Sequence, residues 1–280
     1  MLKLLLENST SRITEKFEEL RARREGALVA YLTGGDPTPE SFLKNLEALV
    51  AGGADIIEIG IPFSDPIADG PVIQVSSQRS LNAGSTPNQI LKLAGRFSSD
   101  HPSVPLVLLT YYNPVLAMGV DRFMKRSKAS GVSGVVVPDL PVEESGDYRD
   151  IASGRGIDTI FLTAPNSSDS RLDRIVKSSR GFIYLVSPYG VTGPRGTLSE
   201  SAIASVKRVK NISDQLPAAA GFGISKPNHV SRLIGSGADG AIVGSALVRI
   251  VNENFSDPEN MSELLRLKTA SLKRATRHEI

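Results

Sequence analysis

The sequence predicts an α/β protein that forms a single (β/α)8 (TIM) barrel over residues 1–280, with an extra N-terminal helix and a mobile loop after the sixth strand. Three observations predict this fold. Apolar, strand-like segments and helical segments alternate eight times along the chain. The strand segments are continuously apolar, which is typical of a parallel sheet covered on both faces. Eight such units within about 250 residues match the usual size of this barrel.

The first element is a helix that begins at Ser11 and ends near Arg24, where it would close the bottom of the barrel. The predicted strands occupy 27–33, the first part of 55–71, 104–110, 134–138, 158–163, 182–187, 218–222 and 241–244. The predicted helices occupy 38–50, 86–99, 120–130, 142–154, 168–179, 198–209, 226–236 and 259–274. A long loop is predicted between the second strand and residue 86. An open doubly wound sheet is less favoured, because no G-x-G-x-x-G motif follows the first strand.

Composition narrows the function classes. The net charge of +2 and the absence of a long Lys/Arg run argue against a nucleic-acid partner. The chain has no cysteine, which excludes disulfides, thiol nucleophiles and thiolate metal sites, and its 3 histidines are far apart. The N-terminal MLKLLLENST is too short for a membrane span and is followed by no signal-peptide cleavage site. We therefore expect a soluble, cytoplasmic protein with no membrane partner.

Glu58 is the candidate catalytic residue that the strand pattern singles out. It shares one face of the second strand with Ile56 and Gly60, at the end of the barrel where active sites form. None of the eight predicted strands contains Lys or Arg, so Glu58 has no obvious basic partner inside the barrel. A desolvated carboxyl without a counter-ion has a raised pKa, which suits proton transfer near neutral pH. The alternative is a structural acid held in an ion pair by a nearby Lys or Arg.

Glycine-rich ends on the last two strands predict a phosphate site. GFGIS at 221–225 follows the seventh strand, and Gly244-Ser245 opens a short apolar helix after the eighth. Barrels frequently bind phosphate at these two loops through backbone N–H groups. The loop SPYGVTGPRG at 187–196 has the length and glycine content of a mobile lid and would add Gly193 as a donor. Binding by backbone donors should depend little on salt. The alternative is that these glycines serve only turns and the loop is a plain connection.

Seven motifs in a fixed order resemble the tryptophan synthase α-subunit family. The most specific is EIGIPFSDPIADGP at 58–71. The others are TGGDP (33–37), YYNP (111–114), VPDLPVEE (137–144), GVTG (190–193), GFGIS (221–225) and GS (244–245). Two features depart from the family pattern. Pro188 and Tyr189 replace a more polar pair in the lid, and Tyr31 stands where other members carry Phe.

The resemblance implies cleavage of indole-3-glycerol phosphate to indole and glyceraldehyde 3-phosphate, with no metal or organic cofactor in this subunit. Glu58 matches the catalytic acid and base, and Asp69 matches the carboxylate that binds the indole N–H. The phosphate-binding positions correspond to Gly193, Gly223, Gly244 and Ser245. The pocket positions correspond to Tyr31, Leu109, Tyr184, Thr192 and Phe222.

The resemblance also implies a partner. Pro62, Asp65 and Pro66 lie in the loop that matches the contact surface for a β subunit, although a loop-capping role for Asp65 is an equal alternative. The family forms an α2β2 tetramer in which indole passes to the pyridoxal-phosphate β subunit for L-tryptophan synthesis. Two other functions remain open, a stand-alone lyase that releases free indole and a non-catalytic phosphate-binding barrel that serves as a partner protein. Retention of both Glu58 and Asp69 argues against the second.

Overall fold

The computed structural model describes residues 11–186, 200–213 and 216–277, and it confirms the predicted parallel barrel. The strands of this part of the chain are β1 (Ala27–Thr33), β2 (Ile56–Gly60), β3 (Leu106–Leu109), β4 (Val132–Val136), β5 (Asp158–Ile160), β6 (Leu162–Thr163), β7 (Ile183–Val186), β8 (Ala218–Gly221) and β9 (Gly240–Val243). Their order in the sheet is β5-β4-β3-β2-β1-β9-β8-β7-β6, and every pair is parallel.

The two edges of this sheet are halves of one predicted strand. Only Phe161 separates β5 from β6, and its carbonyl accepts a hydrogen bond from the Tyr184 N–H at 3.0 Å. β5 pairs with β4 on one side, while β6 pairs with β7 on the other. The predicted fifth strand is therefore divided in two, and it joins the ends of the sheet into a barrel.

Helices cover the outside of the sheet. In the described part of the chain they are α1 (Arg12–Ala22), α2 (Pro39–Ala51), α3 (Pro71–Asn82), α4 (Pro87–Asp100), α5 (Tyr112–Met118), α6 (Val120–Ala129), α7 (Gly146–Gly154), α8 (Asp169–Ser178), α9 (Glu200–Ser213), α10 (Pro227–Gly235), α11 (Ser245–Asn254) and α12 (Pro258–Arg274). A short 3-10 helix spans Val142–Glu144. No helix among these residues is long and apolar enough to cross a membrane.

The apolar residues form two layers, as the continuous strand pattern requires. All seven residues of β1 are buried, because one face of the strand points into the barrel and the other meets the helices. The inner layer includes Val29, Ile56 and Val107. Phe17 of α1 packs on Phe182 in the same layer with ring centroids 5.8 Å apart. The N-terminal helix therefore closes the bottom of the barrel, as predicted.

Two helices that follow strands were missed, α3 and α5. The predicted long loop after the second strand contains α3. Its buried face carries Ser76, Ser77 and Ser80 in place of the apolar residues that reveal a helix by their period. The structure shows why serine suits this face. The Ser76 hydroxyl lies 2.6 Å from Thr33 Oγ1, and Ser80 donates a 2.6 Å hydrogen bond to the Gly34 carbonyl. The helix therefore packs on β1 and the loop that follows it through polar contacts.

Candidate active site

A cavity of about 520 Å³ opens at the carboxyl end of the barrel strands. Seven predicted site residues line it: Tyr31, Asp69, Leu109, Tyr184, Gly223, Gly244 and Ser245. Its wall also includes the start of α3 and the residue Pro138 after β4. The cavity size suits a small organic ligand. Residues far apart in the sequence therefore meet at the end of the barrel that the strand pattern indicated.

Glu58 lies beneath this wall and not on its surface. Its side chain, in the middle of β2, is fully buried. Oε1 has no hydrogen-bond partner among the described residues, and Oε2 lies 3.5 Å from the Tyr184 hydroxyl. Burial, and to a lesser degree the negative charge of Asp69, raise the pKa of Glu58 to about 8, against the opposing effect of the Tyr184 bond. No ion pair involves Glu58 in the described part of the chain, so the structural-pair alternative finds no support there.

Asp69 lies in the loop between β2 and α3 and reaches the cavity directly. The loop is held by Tyr111, whose hydroxyl accepts a 3.0 Å hydrogen bond from the Ala68 N–H, next to Asp69. Gln74 also donates a 2.8 Å hydrogen bond to the Asp69 carbonyl. Burial raises the pKa of Asp69 to about 6, and the Tyr111 hydroxyl limits the rise. At pH 7 Asp69 is therefore mainly ionised while Glu58 is mainly protonated.

Tyr31 lines the cavity between Glu58 and Gly244. It lies beside Glu58 in the register of β1 and β2, and its side chain is buried. A Cβ added to Gly60 would lie only 2.1 Å from the Tyr31 hydroxyl, so only glycine leaves room for that oxygen. The same hydroxyl lies 3.4 Å from Thr33 Oγ1. Gly60 and Thr33 thus accommodate the hydroxyl by which Tyr31 differs from phenylalanine.

The backbone of Gly223, Gly244 and Ser245 forms another part of the cavity wall. Gly223 has φ +67°, a conformation that favours glycine, and it follows β8. Gly244 is the N-cap of α11, and Ser245 is its first residue. The first N–H groups of a helix have no intrahelical acceptor, and this helix carries no acidic residue in its first turn. Lys268 braces the neighbouring loop by donating a 2.6 Å hydrogen bond to the Ser225 carbonyl. This part of the wall can donate several backbone hydrogen bonds to an anion.

The remaining predicted residues lie elsewhere. Phe222 is buried in the layer between sheet and helices, and it is absent from the cavity wall that its neighbours Gly221 and Gly223 form. Gly193 and Thr192, with the Pro188–Tyr189 pair, lie outside the described residues. The predicted partner residues share one loop: Pro62 is buried, Pro66 is half-buried and Asp65 is exposed.

Two residues of the site were missed by the sequence analysis. Tyr111, which holds the Asp69 loop, was noted at the end of the third strand and in the motif YYNP, but nothing in the sequence placed its hydroxyl near residue 69. Arg249 also lines the cavity. The sequence could have predicted this position. Arg249 is four residues after Ser245, and residues four apart share one face of a helix.

Comparison with known proteins agrees with this geometry. The family model for the tryptophan synthase alpha chain matches residues 17–277. The chain belongs to the tryptophan synthase alpha chain family. It is 44% identical over 265 residues to the tryptophan synthase alpha chain of Methanosarcina barkeri, covering 95% of this chain and 98% of that protein.

Solved structures of the tryptophan synthase alpha chain family have the same barrel. The alpha subunit from Legionella pneumophila superposes with a TM-score of 0.86 at 33% identity, covering 96% of this chain and 99% of that one. A chain from the tryptophan synthase a2b2 complex of Pyrococcus furiosus superposes with a TM-score of 0.84 at 45% identity, covering 89% and 98%. The resemblance stated from the motifs is therefore confirmed.

Proposed function

We propose that this chain is the α subunit of tryptophan synthase and cleaves indole-3-glycerol phosphate into indole and glyceraldehyde 3-phosphate. The observation that carries the proposal is the pair Glu58 and Asp69 at one cavity, with pKa values of about 8 and about 6. Two carboxyls held in different protonation states at one pH are suited to separate roles as proton donor and fixed negative charge. The glycine-rich end of the same cavity supplies the backbone donors for the substrate phosphate.

The reaction needs one proton to move onto carbon and another to leave oxygen. Protonated Glu58 donates to C3 of the indole ring, and the ring nitrogen becomes positively charged. Ionised Asp69 accepts a hydrogen bond from the indole N–H and stabilises that charge. The Glu58 carboxylate then accepts the proton of the glycerol hydroxyl next to the breaking bond. The C–C bond electrons return to the ring, which releases indole and leaves an aldehyde.

Glu58 must turn toward the cavity to act in this way. Its Oε1 atom makes no hydrogen bond in the described part of the chain, and the 3.5 Å contact from Oε2 to Tyr184 is at the limit of a hydrogen bond. Rotation of the side chain therefore breaks little. Tyr184 lines the cavity and its hydroxyl contacts Glu58, so the carboxyl would leave this contact to meet the substrate.

The proposal includes a β-subunit partner and an α2β2 assembly. The reaction written above draws on no metal or organic cofactor in this subunit, and pyridoxal phosphate belongs to the β partner. Ile67, in the loop with Asp65 and Pro66, has 83% of its surface exposed, and Leu116 at the same end of the barrel has 52%. Such apolar side chains suit burial by a partner. We also propose a cytoplasmic enzyme whose residues 1–280 form one domain.

A stand-alone lyase would use the same site, so the decisive experiment measures indole release with and without a β subunit. Purified chain and indole-3-glycerol phosphate should yield indole, and adding a tryptophan synthase β subunit should raise the rate. Release of indole with no response to any β subunit would favour the stand-alone enzyme. No indole release with or without the β subunit would leave the non-catalytic barrel and overturn the proposal.

A further inference from the structure

Arg249 is an exposed side chain that lines the cavity together with Gly223, Gly244 and Ser245. It lies one helical turn after Ser245 on α11, on the same face. Helical side chains lean toward the N-terminus of their helix. The side chain of Arg249 therefore leaves the helix on the side of its N-terminus, where Gly244 and Ser245 line the same cavity.

The charge of Arg249 has no counterpart in the described residues. Neither a hydrogen bond nor an ion pair to its guanidinium occurs within 11–186, 200–213 and 216–277. Glu253 is one turn further along α11 and does not pair with it. The first turn of α11 has no acidic residue, and the stretch 187–199 contains neither Asp nor Glu. A cation near the positive end of a helix dipole is unfavourable by itself and favourable when an anion binds there.

We propose that Arg249 binds the phosphate of the substrate and selects the doubly charged phosphate ester over uncharged analogues. This inference rests on the proposed function, because it adds a side-chain cation to the backbone phosphate site described above. Arginine suits the role because its planar fork donates two hydrogen bonds to phosphate oxygens. The earlier expectation that phosphate affinity depends little on salt assumed backbone donors alone, and a charged Arg249 contact changes it. A contact at the exposed mouth of the cavity should weaken as ionic strength rises.

The test compares Arg249→Gln and Arg249→Lys with a matched control, Arg96→Gln. Arg96 is also an exposed helical arginine, but it lies on α4 and outside the cavity wall. Because the guanidinium donates charge-assisted hydrogen bonds to phosphate, Arg249→Gln should lower kcat/KM for indole-3-glycerol phosphate by about tenfold or more. It should raise the dissociation constant of inorganic phosphate by a similar factor and leave the dissociation constant of indole unchanged. Arg249→Lys should fall between, and Arg96→Gln should match the wild type.

Direct calorimetric titration with inorganic phosphate decides the inference separately from catalysis. Equal phosphate dissociation constants and equal salt dependence for Arg249→Gln and Arg96→Gln would overturn it, even in an active enzyme. An equal loss of indole binding would also overturn it, because the effect would not be confined to phosphate. If the wild type released no indole, the proposed function would fail, while the phosphate titration would still decide the role of Arg249.

Discussion

Glu58 and Asp69 are both carboxyls, but their surroundings give them different protonation states. Glu58 is fully buried next to a tyrosine hydroxyl, whereas Asp69 is half-buried in a loop that Tyr111 holds through the Ala68 N–H. Burial raises the pKa of each, and the charge of Asp69 adds to the rise for Glu58.

This difference predicts a bell-shaped pH profile for kcat/KM. Activity should rise with pH as Asp69 loses its proton around the pKa of about 6. It should fall at higher pH as Glu58 loses its proton around the pKa of about 8. Initial rates of indole release at low substrate concentration, measured across this range in buffers of constant ionic strength, test the prediction. A rate that stays level through both pKa values is the contrary result.

Asp69→Asn should lower kcat by about 100-fold or more, because the amide keeps the shape but cannot balance the positive charge on the indole ring. Asp147→Asn is the matched control, since Asp147 is an exposed acid on α7 away from the cavity. Steady-state kinetics separate the two possible roles of Asp69. An increase in KM with unchanged kcat would mean that Asp69 only positions the substrate.

At the scale of elements, α3 and α11 set the distance between the two ends of the cavity. α3 begins just after Asp69, and α11 begins at the predicted phosphate end. Arg79 of α3 makes a two-point ion pair with Asp36 at 2.6 and 2.7 Å and a 2.6 Å hydrogen bond to Asn252 Oδ1 of α11. Asn252 in turn donates a 3.2 Å hydrogen bond to the Val72 carbonyl at the start of α3. These contacts hold the two helices together behind the cavity.

Asn252→Ala should therefore reduce kcat/KM by about tenfold, although Asn252 is not in the cavity wall. The loss of its hydrogen bonds should also cost about 1 kcal/mol or more in the free energy of unfolding. The control is Asn82→Ala, because Asn82 is an exposed residue of α3 whose side chain, among the described residues, accepts a hydrogen bond only from Gln78 of the same helix. Enzyme kinetics and urea denaturation measure both effects. Equal kinetics for the two variants would show that the Asn252 contacts do not position the site.

The elements that could be predicted from the sequence are those with apolar periodicity. The strand β1 was predicted with its observed bounds, because all seven residues are apolar or small and glycines follow. α3 was not, because its buried positions are serines whose partners become visible only in three dimensions. The division of the fifth predicted strand at Phe161 could not be predicted either. It arises because β5 pairs with β4 and β6 pairs with β7, and these pairings are known only from the three-dimensional structure. In the site, the acids could be predicted from their motif, whereas the Tyr111 support for Asp69 depends on how the loop folds.

At the scale of the whole molecule, the barrel separates a catalytic end from a closed bottom. α1 fills the bottom with Phe17 and Leu20, while the loops after the strands form the cavity and carry the exposed Ile67 and Leu116. These two side chains follow the adjacent strands β2 and β3. A partner that covers them would lie beside the loop that carries Asp69, which gives it a direct means of influencing catalysis.

Ile67→Asp should weaken binding of the β subunit by about tenfold or more, because a charge replaces an apolar group in the expected contact. Leu267→Asp is the matched control: Leu267 is also an exposed aliphatic residue, with 50% of its surface accessible, but it lies on α12. Both variants should keep the lyase rate of the isolated chain. Titration of the β subunit, followed by the increase in lyase rate, measures the difference. Equal affinities for the two variants would place the partner surface elsewhere.

The central claim is that Glu58 transfers the protons of the cleavage reaction, and Glu58→Gln tests it most directly. The amide has nearly the same shape, and it cannot exchange a proton as the carboxyl does. We predict a fall in kcat of at least about 100-fold for indole release, with an unchanged dissociation constant for inorganic phosphate. Turnover close to that of the wild type, with phosphate binding intact, would contradict the account.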